Sequence, residues 1–332
     1  MVLFNRDGPR CITMLSFKCR DGLIPNGLLF LYISCAYPLA LMGMSTLAWF
    51  PFAVLLLAHV MIASAFLLHD CLHNNVFTKI EDNASVGKLL CWLVGAVYSP
   101  YELLREKHFR HHFERADILL VDYKTLVARK PWLERTLKFA SWCWLPAVEL
   151  LLQFLDMFSP YWMPERKHLR SRVSKVLCIR ALMFFALLMI SPLACLGYCL
   201  AYVLFQLVMC FMDAFQHDYG VQYRLQHEQQ PPAHNKSYEE THTFSNLLSV
   251  RFPIINKLVL NFCYHNVHHR KPSEPWYRLP TLHHQTYSQQ CPQQVSFKEQ
   301  LSRFHRYRLD RVSGNEHNPL AGADGVSFLV GV

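Results

Sequence analysis

Residues 22–69 read GLIPNGLLFLYISCAYPLALMGMSTLAWFPFAVLLLAHVMIASAFLLH, without a single Lys, Arg, Asp or Glu. A second run without these charged residues covers positions 181–212. A soluble core does not need uncharged runs of this length, whereas a helix that crosses a bilayer needs about 20 predominantly apolar residues. Over the whole chain of 332 residues, 17% are charged, below the roughly 25% of an ordinary soluble domain. The two runs therefore predict an integral membrane protein.

Each run is long enough for a helical hairpin and too long for one span. A single helix of about 40 residues would extend about 60 Å, twice the thickness of the hydrocarbon layer. The tripeptide Trp49–Pro51 marks the turn of the first hairpin, and Ser191-Pro192 marks that of the second. The sequence therefore predicts an all-α membrane protein made of two transmembrane hairpins. Its four spans are expected at about residues 27–46, 51–70, 176–192 and 196–215.

The segments outside the hairpins contain shorter apolar stretches. Leu89–Tyr101 is too short to cross the bilayer and predicts an interfacial or re-entrant helix. Trp132–Phe158 carries charges among its apolar residues, which favours an amphipathic surface helix over a fifth span. The tail after Ser313 is expected to be poorly ordered. We divide the chain into an N-terminal segment, a membrane domain and a C-terminal tail, at residues 1–26, 27–284 and 285–332.

The net charge of +9 is placed around the hairpins. Of the 33 Lys and Arg residues, 4 lie in residues 1–22, 17 in residues 70–180 and 12 in residues 213–332, and the two hairpin turns hold none. Basic residues flank membrane spans on the cytoplasmic side. This predicts a multi-pass protein with both termini in the cytoplasm and gives no reason to expect a nucleic-acid partner. The polar first 22 residues do not have the pattern of a signal peptide. A bacterial inner membrane and the endoplasmic reticulum are both compatible with the sequence.

Eight of the eighteen histidines lie in three motifs next to the predicted spans. His69 and His73 form an HxxxH at the end of the second span, and two HxxHH motifs follow at His108–His112 and His265–His269. On a helix, residues at i, i+3 and i+4 share one face, so each motif can direct its imidazoles at one point. Three such motifs at the same predicted membrane depth favour a metal site over hydrated surface histidines.

Neutral imidazole is a good ligand for iron, zinc and copper. Eight imidazoles exceed the four ligands that one zinc takes, and they match two six-coordinate metals with positions left over. His217 lies just past the fourth span, as His69 lies at the end of the second, and is a ninth candidate. The predicted metal ligands are His69, His73, His108, His111, His112, His217, His265, His268 and His269. The candidates for hydrogen bonds that orient these imidazoles are Asp70, Asp213, His242 and Asn266.

The motifs HDCLH, HFRHH and HNVHH, each beside a membrane hairpin, resemble those of the integral-membrane fatty acid desaturase and hydroxylase superfamily. The resemblance extends over about residues 27–284, and His217 is similar to the extra histidine that desaturases have outside the motifs. It implies a non-haem di-iron centre held by these histidines on a cytoplasmic helical cap, with dioxygen as oxidant and two external electrons per turnover. No His-Pro-Gly-Gly haem motif of a fused cytochrome b5 is present. We therefore expect a separate electron donor of the ferredoxin, rubredoxin or cytochrome b5 type.

The resemblance favours desaturation of a fatty acyl chain or lipid taken from the bilayer. Hydroxylation, ketolation and oxidative decarboxylation are alternatives, because the superfamily uses the same motifs for these reactions. A membrane metal-binding or transport protein is a further alternative, although the two apolar runs offer only His59 ahead of the motifs. We predict no catalytic residue beyond the metal ligands. The candidates for binding the substrate head group are the basic residues Arg105, Lys107, Arg110 and Arg270.

Overall fold

The computed structural model describes residues 16–287 and 291–313, so the expected disorder after Ser313 lies outside the described residues. Within these ranges the regular secondary structure is helical apart from one short pair of strands. The α-helices are α1 (Leu23–Gly43), α2 (Phe50–Leu72), α3 (Ile80–Val94), α4 (Tyr101–Glu114), α5 (Tyr123–Ala128), α6 (Pro131–Trp142), α7 (Ala147–Trp162), α8 (Arg170–Ile190), α9 (Pro192–Asp213), α10 (Lys236–Thr241), α11 (His265–Arg270), α12 (Leu279–Thr286), α13 (Phe297–Tyr307) and α14 (Asp310–Ser313). The strands are β1 (Asp117–Leu119) and β2 (Gln222–Arg224), and 3-10 turns cover Arg20–Gly22, Ala96–Tyr98, Pro164–Leu169, Pro253–Val259 and Trp276–Arg278.

Four helices are long and apolar enough to cross a membrane, namely α1, α2, α8 and α9. They confirm the prediction of an all-α membrane protein with two helical hairpins. Large apolar side chains are exposed along α1 and α8, whereas α2 is largely buried. Exposed apolar surface on this scale is unusual for a soluble monomer and is typical of a face that contacts hydrocarbon.

The second hairpin is longer and tighter than hydropathy predicts. The helix α8 begins at Arg170, six residues before the expected start of the third span, because basic side chains interrupt the apolar pattern without interrupting the backbone hydrogen bonds. The helix α9 begins at Pro192. Proline lacks a backbone N–H, but an N–H in the first turn has no partner within the helix, so no hydrogen bond is lost. The Ser191 Oγ accepts a hydrogen bond from the Ala194 N–H at 3.1 Å. Residues 193–195, which lie between the expected third and fourth spans, are therefore helical, and Ser191 alone joins the two spans, at the Ser191-Pro192 turn that the sequence predicts.

Each of the two shorter apolar stretches is divided. The helix expected at Leu89–Tyr101 is the last part of α3, which ends where Gly95 adopts a φ of 83°, followed by a 3-10 turn. The stretch Trp132–Phe158 forms α6 and most of α7 instead of one helix. Pro146 disfavours a helical conformation at the residue before it, and Trp144 has a φ of 62°. Both helices lie outside the four candidate spans.

The helix α2 is the centre of the main hydrophobic core. It packs against α1, α3 and α9, and nearly all of its residues from Leu57 onward are buried. A helix that is apolar on all sides is stable in this form because other helices or lipid surround it. The buried end of α2 carries His69 and leads directly to His73. The first histidine motif is therefore fixed inside the bundle.

The strands β1 and β2 join segments that are distant in the sequence. They pair in parallel, with Asp117 opposite Gln222 and Leu119 opposite Arg224. The first strand follows α4, and the second follows His217 by a few residues. This pairing fixes the end of α4 beside the segment that leaves α9.

The described part of the expected tail at residues 285–332 is packed on the bundle. Phe304 of α13 is buried against Phe211 of α9. The Arg311 guanidinium forms an ion pair with the buried Glu149 of α7 and donates a hydrogen bond to the Cys210 Sγ at 2.7 Å. Removing one partner of a buried ion pair costs about 3–5 kcal/mol. The segment from α13 to α14 is therefore part of the folded body.

Candidate metal centre

The helix α4 carries the second histidine motif, and the way it ends fixes the orientation of the His111 ring. Arg115 adopts a left-handed φ of 49° and terminates the helix, which turns the chain back toward His111. The His111 Nδ1 then lies 2.9 Å from the Ala116 carbonyl oxygen. A carbonyl can only accept, so Nδ1 carries the proton. The Nε2 lone pair of His111 is left to face the cluster.

The third motif lies on α11, a helix of only six residues. Leu260 and Asn261 before it adopt positive φ values of 44° and 57°, which bend the chain sharply into the helix. The Asn261 Nδ2 donates a hydrogen bond to the Trp276 carbonyl at 3.2 Å and holds this bend. Non-glycine residues in this conformation are uncommon and persist where surrounding contacts hold them. The imidazoles of α11 are consequently buried.

His217 is held by a loop. It lies four residues past the end of α9, and its backbone forms an antiparallel bridge with Thr243. The Asp218 N–H donates to the His242 carbonyl at 2.9 Å, and the Phe244 N–H donates to the Gln216 carbonyl at 2.8 Å. These bonds place the His217 ring beside the motifs of α4 and α11.

The nine predicted ligands assemble into two adjacent sets of ring nitrogens. We name the first set, His69, His73, His108, His112 and His268, the first histidine group; its ligand atoms all lie within 4.8 Å of one another. In the other set, His111, His217 and His269 lie within the same distance, and the His265 Nε2 is 2.6 Å from the His217 Nε2. We name these four the second histidine group. The structure thus brings together every histidine predicted as a ligand.

Burial makes these imidazoles good metal ligands. It lowers the pKa of His111 to about 4, and it lowers the pKa of seven others well below the ordinary value for histidine. These seven are His73, His108, His112, His217, His265, His268 and His269. A neutral ring has one nitrogen lone pair available for a metal. The cluster therefore provides donors at neutral pH rather than repelling cations.

His268 tests whether a metal fits. The ring is 0% exposed, and neither of its nitrogens has a hydrogen-bond partner. A buried polar group without a partner costs about 1–3 kcal/mol, and a metal bound to the ring would remove this cost. One nitrogen of each ring converges here, and N–H···N hydrogen bonds join such atoms in pairs, so five of them cannot all be paired. The donor set fits a transition metal such as iron, zinc or copper.

Two residues that the sequence analysis missed contact His269. The Glu239 Oε1 is 3.3 Å from the His269 Nδ1, and its Oε2 accepts a hydrogen bond from the Arg115 Nε at 2.7 Å. The Tyr219 hydroxyl is also 3.3 Å from the His269 Nδ1. A carboxylate that accepts from one ring nitrogen orients the other toward a metal. Nothing in the spacing of the sequence marks Glu239 or Tyr219, because both reach His269 through the folded loops.

The four residues predicted to orient the imidazoles have varied surroundings. The Asp70 Oδ2 accepts from the backbone N–H of Trp276 at 3.1 Å. Asp213 lines a cavity of about 30 Å³ beside the second histidine group. Asn266 accepts a hydrogen bond from Ser245, and the His242 ring stacks on a neighbouring tyrosine. The hydrogen bonds of Asp70 and Asn266 fix the backbone and side chains around the cluster.

The four basic residues predicted to bind a head group also differ. Arg110 is buried and directs its guanidinium to Glu114 and to the carbonyls of β2 and the residues after it, which gives it a structural role. Lys107 is buried beside the cavity that Asp213 lines, and burial lowers the pKa of Lys107 to about 8. The Arg105 Nε donates to the Leu72 carbonyl at 3.0 Å. Arg270, in contrast, is exposed.

The family model described as fatty acid desaturase matches residues 45–300, which is more than half of the chain and includes all nine histidines. The chain belongs to the fatty acid desaturase family. Membership confirms the superfamily expected from the three motifs and identifies the protein as an oxidoreductase of lipid substrates that receives electrons from a separate donor. The comparison with curated proteins finds no match. As a member of the desaturase family with four apolar helices, the chain is a membrane protein.

Proposed function

We propose that the protein is a non-haem di-iron desaturase that introduces a double bond into a fatty acyl chain. The observation that carries this proposal is the division of nine imidazoles, seven buried and two half-buried, into two adjacent groups inside the region that matches the family. Two groups support two metals, and an all-nitrogen donor set differs from the carboxylate-rich sites of soluble di-iron bundles.

The nine histidines are proposed as the iron ligands. The first histidine group would hold one iron through five imidazoles, and the second would hold the other through four. Iron bound here would supply the oxygen-dependent redox chemistry that an unactivated C–H bond requires. The protein contributes rings of fixed tautomer, such as His111, and a carboxylate, Glu239, that orients His269.

The proposed reaction balances with an external donor. Two hydrogens leave adjacent carbons of the chain, and dioxygen takes them up with two protons and two further electrons to give two waters. A ferredoxin, a rubredoxin or a cytochrome b5 would deliver these electrons. The substrate would be a fatty acyl chain or lipid that enters from the bilayer, and its head group would bind the exposed Arg270 and the half-buried Arg105.

We further propose that both termini and the histidine cluster lie on the cytoplasmic side, in a bacterial inner membrane or the endoplasmic reticulum. The support is the positive charge outside the spans, since 17 of the 33 basic residues lie in residues 70–180. Reporter fusions at the two ends test this orientation. A C-terminal reporter found outside the cytoplasm contradicts it.

Product analysis of the expressing cells and metal analysis of the purified chain together test the proposed function. Host lipids are compared by mass spectrometry with and without expression, and the purified chain is analysed for metal. New double bonds together with about two irons per chain support the proposal. Hydroxylated, ketone or shortened alkene products would assign the centre to another reaction of the superfamily. Stoichiometric zinc in cells grown with iron would overturn the di-iron centre.

A further inference from the structure

A pocket of about 270 Å³ lies between α7, α8 and α9, away from the histidine cluster. Its walls are mainly aromatic and aliphatic and include Phe154 and Met157 of α7 and Phe184 of α8. Tyr202 lines it from α9, eleven residues before Asp213, which is about 16 Å along the helix. The pocket is therefore distinct from the metal centre.

Arg180 is the charged residue of this pocket. It lies in the middle of α8, within a candidate membrane span, and is only 7% exposed. Its Nη1 donates to the Tyr198 hydroxyl at 3.2 Å, and its Nη2 donates to the Trp92 carbonyl. The Arg180 Nε is buried and has no hydrogen-bond partner. No ion pair joins Arg180 to a carboxylate within residues 16–287 and 291–313.

Two uncharged polar side chains of the pocket, Gln153 and Tyr202, already pair with each other. The Tyr202 hydroxyl donates to the Gln153 Oε1 and accepts from the Gln206 Nε2 at 2.9 Å. Arg180 is the charged residue that lines the pocket, and within the described residues no carboxylate neutralises it. An ionised side chain inside a membrane span is costly unless it is paired, and such residues mark binding sites more often than packing. The fork of an arginine matches the two oxygens of a carboxylate.

We propose that this pocket binds a single-chain lipid with an anionic oxygen head group, a fatty carboxylate, which pairs with Arg180 while its chain lies against the aromatic wall. The volume is just below the range of 300–1,000 Å³ that is usual for pockets of drug-sized ligands. This volume fits a single chain better than the two chains of a diacyl lipid. The site does not depend on the reaction at the metal centre, so its test is independent of the proposed function.

Fluorescence of the purified holoprotein in detergent tests the site. Trp92 reports on it, because its ring lies 5.6 Å from the Arg180 guanidinium carbon. A fatty acid brominated next to its carboxyl group should quench this fluorescence on binding, and Trp92→Phe should remove that part of the quenching. We expect Arg180→Gln to raise the Kd for the brominated acid at least tenfold. Lys175→Gln, which removes an exposed cation from the same helix, should leave the Kd unchanged.

Two further arms keep the test decisive. If Arg180→Gln does not fold, the double substitution Leu150→Phe and Met157→Phe narrows the pocket and keeps the charge, and it should weaken binding by a similar factor. A brominated phosphatidic acid presents a phosphate on two chains and should quench weakly. Unchanged affinity of the folded Arg180→Gln or double-substituted protein overturns the site. Tighter binding of phosphatidic acid than of the fatty acid overturns the single-chain assignment.

Discussion

The two hairpins bring histidines to the cluster in different ways. In the first, α2 remains helical through His69, so the position of this ring follows from helix geometry. In the second, α9 ends at Asp213, and His217 lies in a loop that the backbone of residues 242–244 holds in place. A ligand on a buried helix depends on local structure, whereas a ligand in a loop depends on a second segment. The two sides of the cluster should therefore respond differently to substitution.

Removal of a ligand that lies on a helix has the largest expected effect. His69→Ala takes one imidazole from the first histidine group, and we expect product formation to fall more than about 100-fold, beyond the cost of losing an outer hydrogen-bond partner. Iron content per chain should fall with it. The matched control is His284→Ala, since His284 is exposed and lies outside both groups. Normal turnover with two irons in His69→Ala would remove this residue from the centre.

The ligand in the loop is tested by His217→Gln, because glutamine keeps the size and polarity of histidine but binds metals weakly. We expect activity and iron occupancy to fall together, by less than in His69→Ala, because the glutamine amide still offers a weak ligand atom where alanine offers none. Metal analysis and a product assay on the same preparation make the comparison. Full activity with two irons would leave an eight-histidine centre and show that the loop has no role in metal binding.

A smaller effect is expected at the residue that orients His269. Glu239→Gln keeps the shape of the side chain and removes the charge that accepts from the His269 Nδ1 and from Arg115. Loss of such a partner typically lowers metal affinity by about 10–100-fold. Competition with an iron chelator measures this affinity, and Glu240→Gln, at an exposed neighbour, is the control. Equal affinity in the two variants would contradict the orienting role of Glu239.

The smallest effect is expected at the bond that fastens the loop side to α9. The Asn246 Nδ2 donates to the Met212 carbonyl at 2.6 Å, and its Oδ1 accepts from the Gln216 Nε2 at 3.3 Å. Asn246→Ala leaves a buried carbonyl unpaired, which costs about 1–3 kcal/mol. Thermal unfolding in detergent should show a lower midpoint than wild type, with Gln229→Ala as an exposed control. An unchanged midpoint would mean that the loop is held by its backbone alone.

Sequence patterns predict well the parts of the cluster that lie on helices. The charge-free runs identify the four spans, and the i, i+3 and i+4 spacing identifies the histidines of α4 and α11, because both signals are local. His217 was predicted as a ligand from its distance past the fourth span, and the structure places it in the second histidine group. Hydropathy places the start of the third span about six residues after the observed start of α8, because it reports the length of the apolar stretch and not the backbone hydrogen bonds.

The parts that the sequence did not predict are long-range pairings. Glu239 contacts His269 across 30 positions, and β1 pairs with β2 across more than 100. Such contacts have no period along the chain, so neither propensity nor spacing indicates them. Arg110 illustrates the same limit, because a basic residue beside a histidine motif forms a buried network with Glu114 and distant carbonyls.

The pairing of β1 with β2 has a consequence for how the protein is made. Ribosomes add about 5–20 residues per second, so roughly 10–40 s separate the emergence of His73 from that of His269. During this interval α4 has no strand to hold its end, and the first histidine group lacks His268. We expect nascent chains that stop before residue 222 to insert the first hairpin and to bind iron poorly. Maturation of the centre would then wait for β2 and the third histidine motif, which follow the second hairpin in the chain, and metal loading would be one of the last events of biosynthesis.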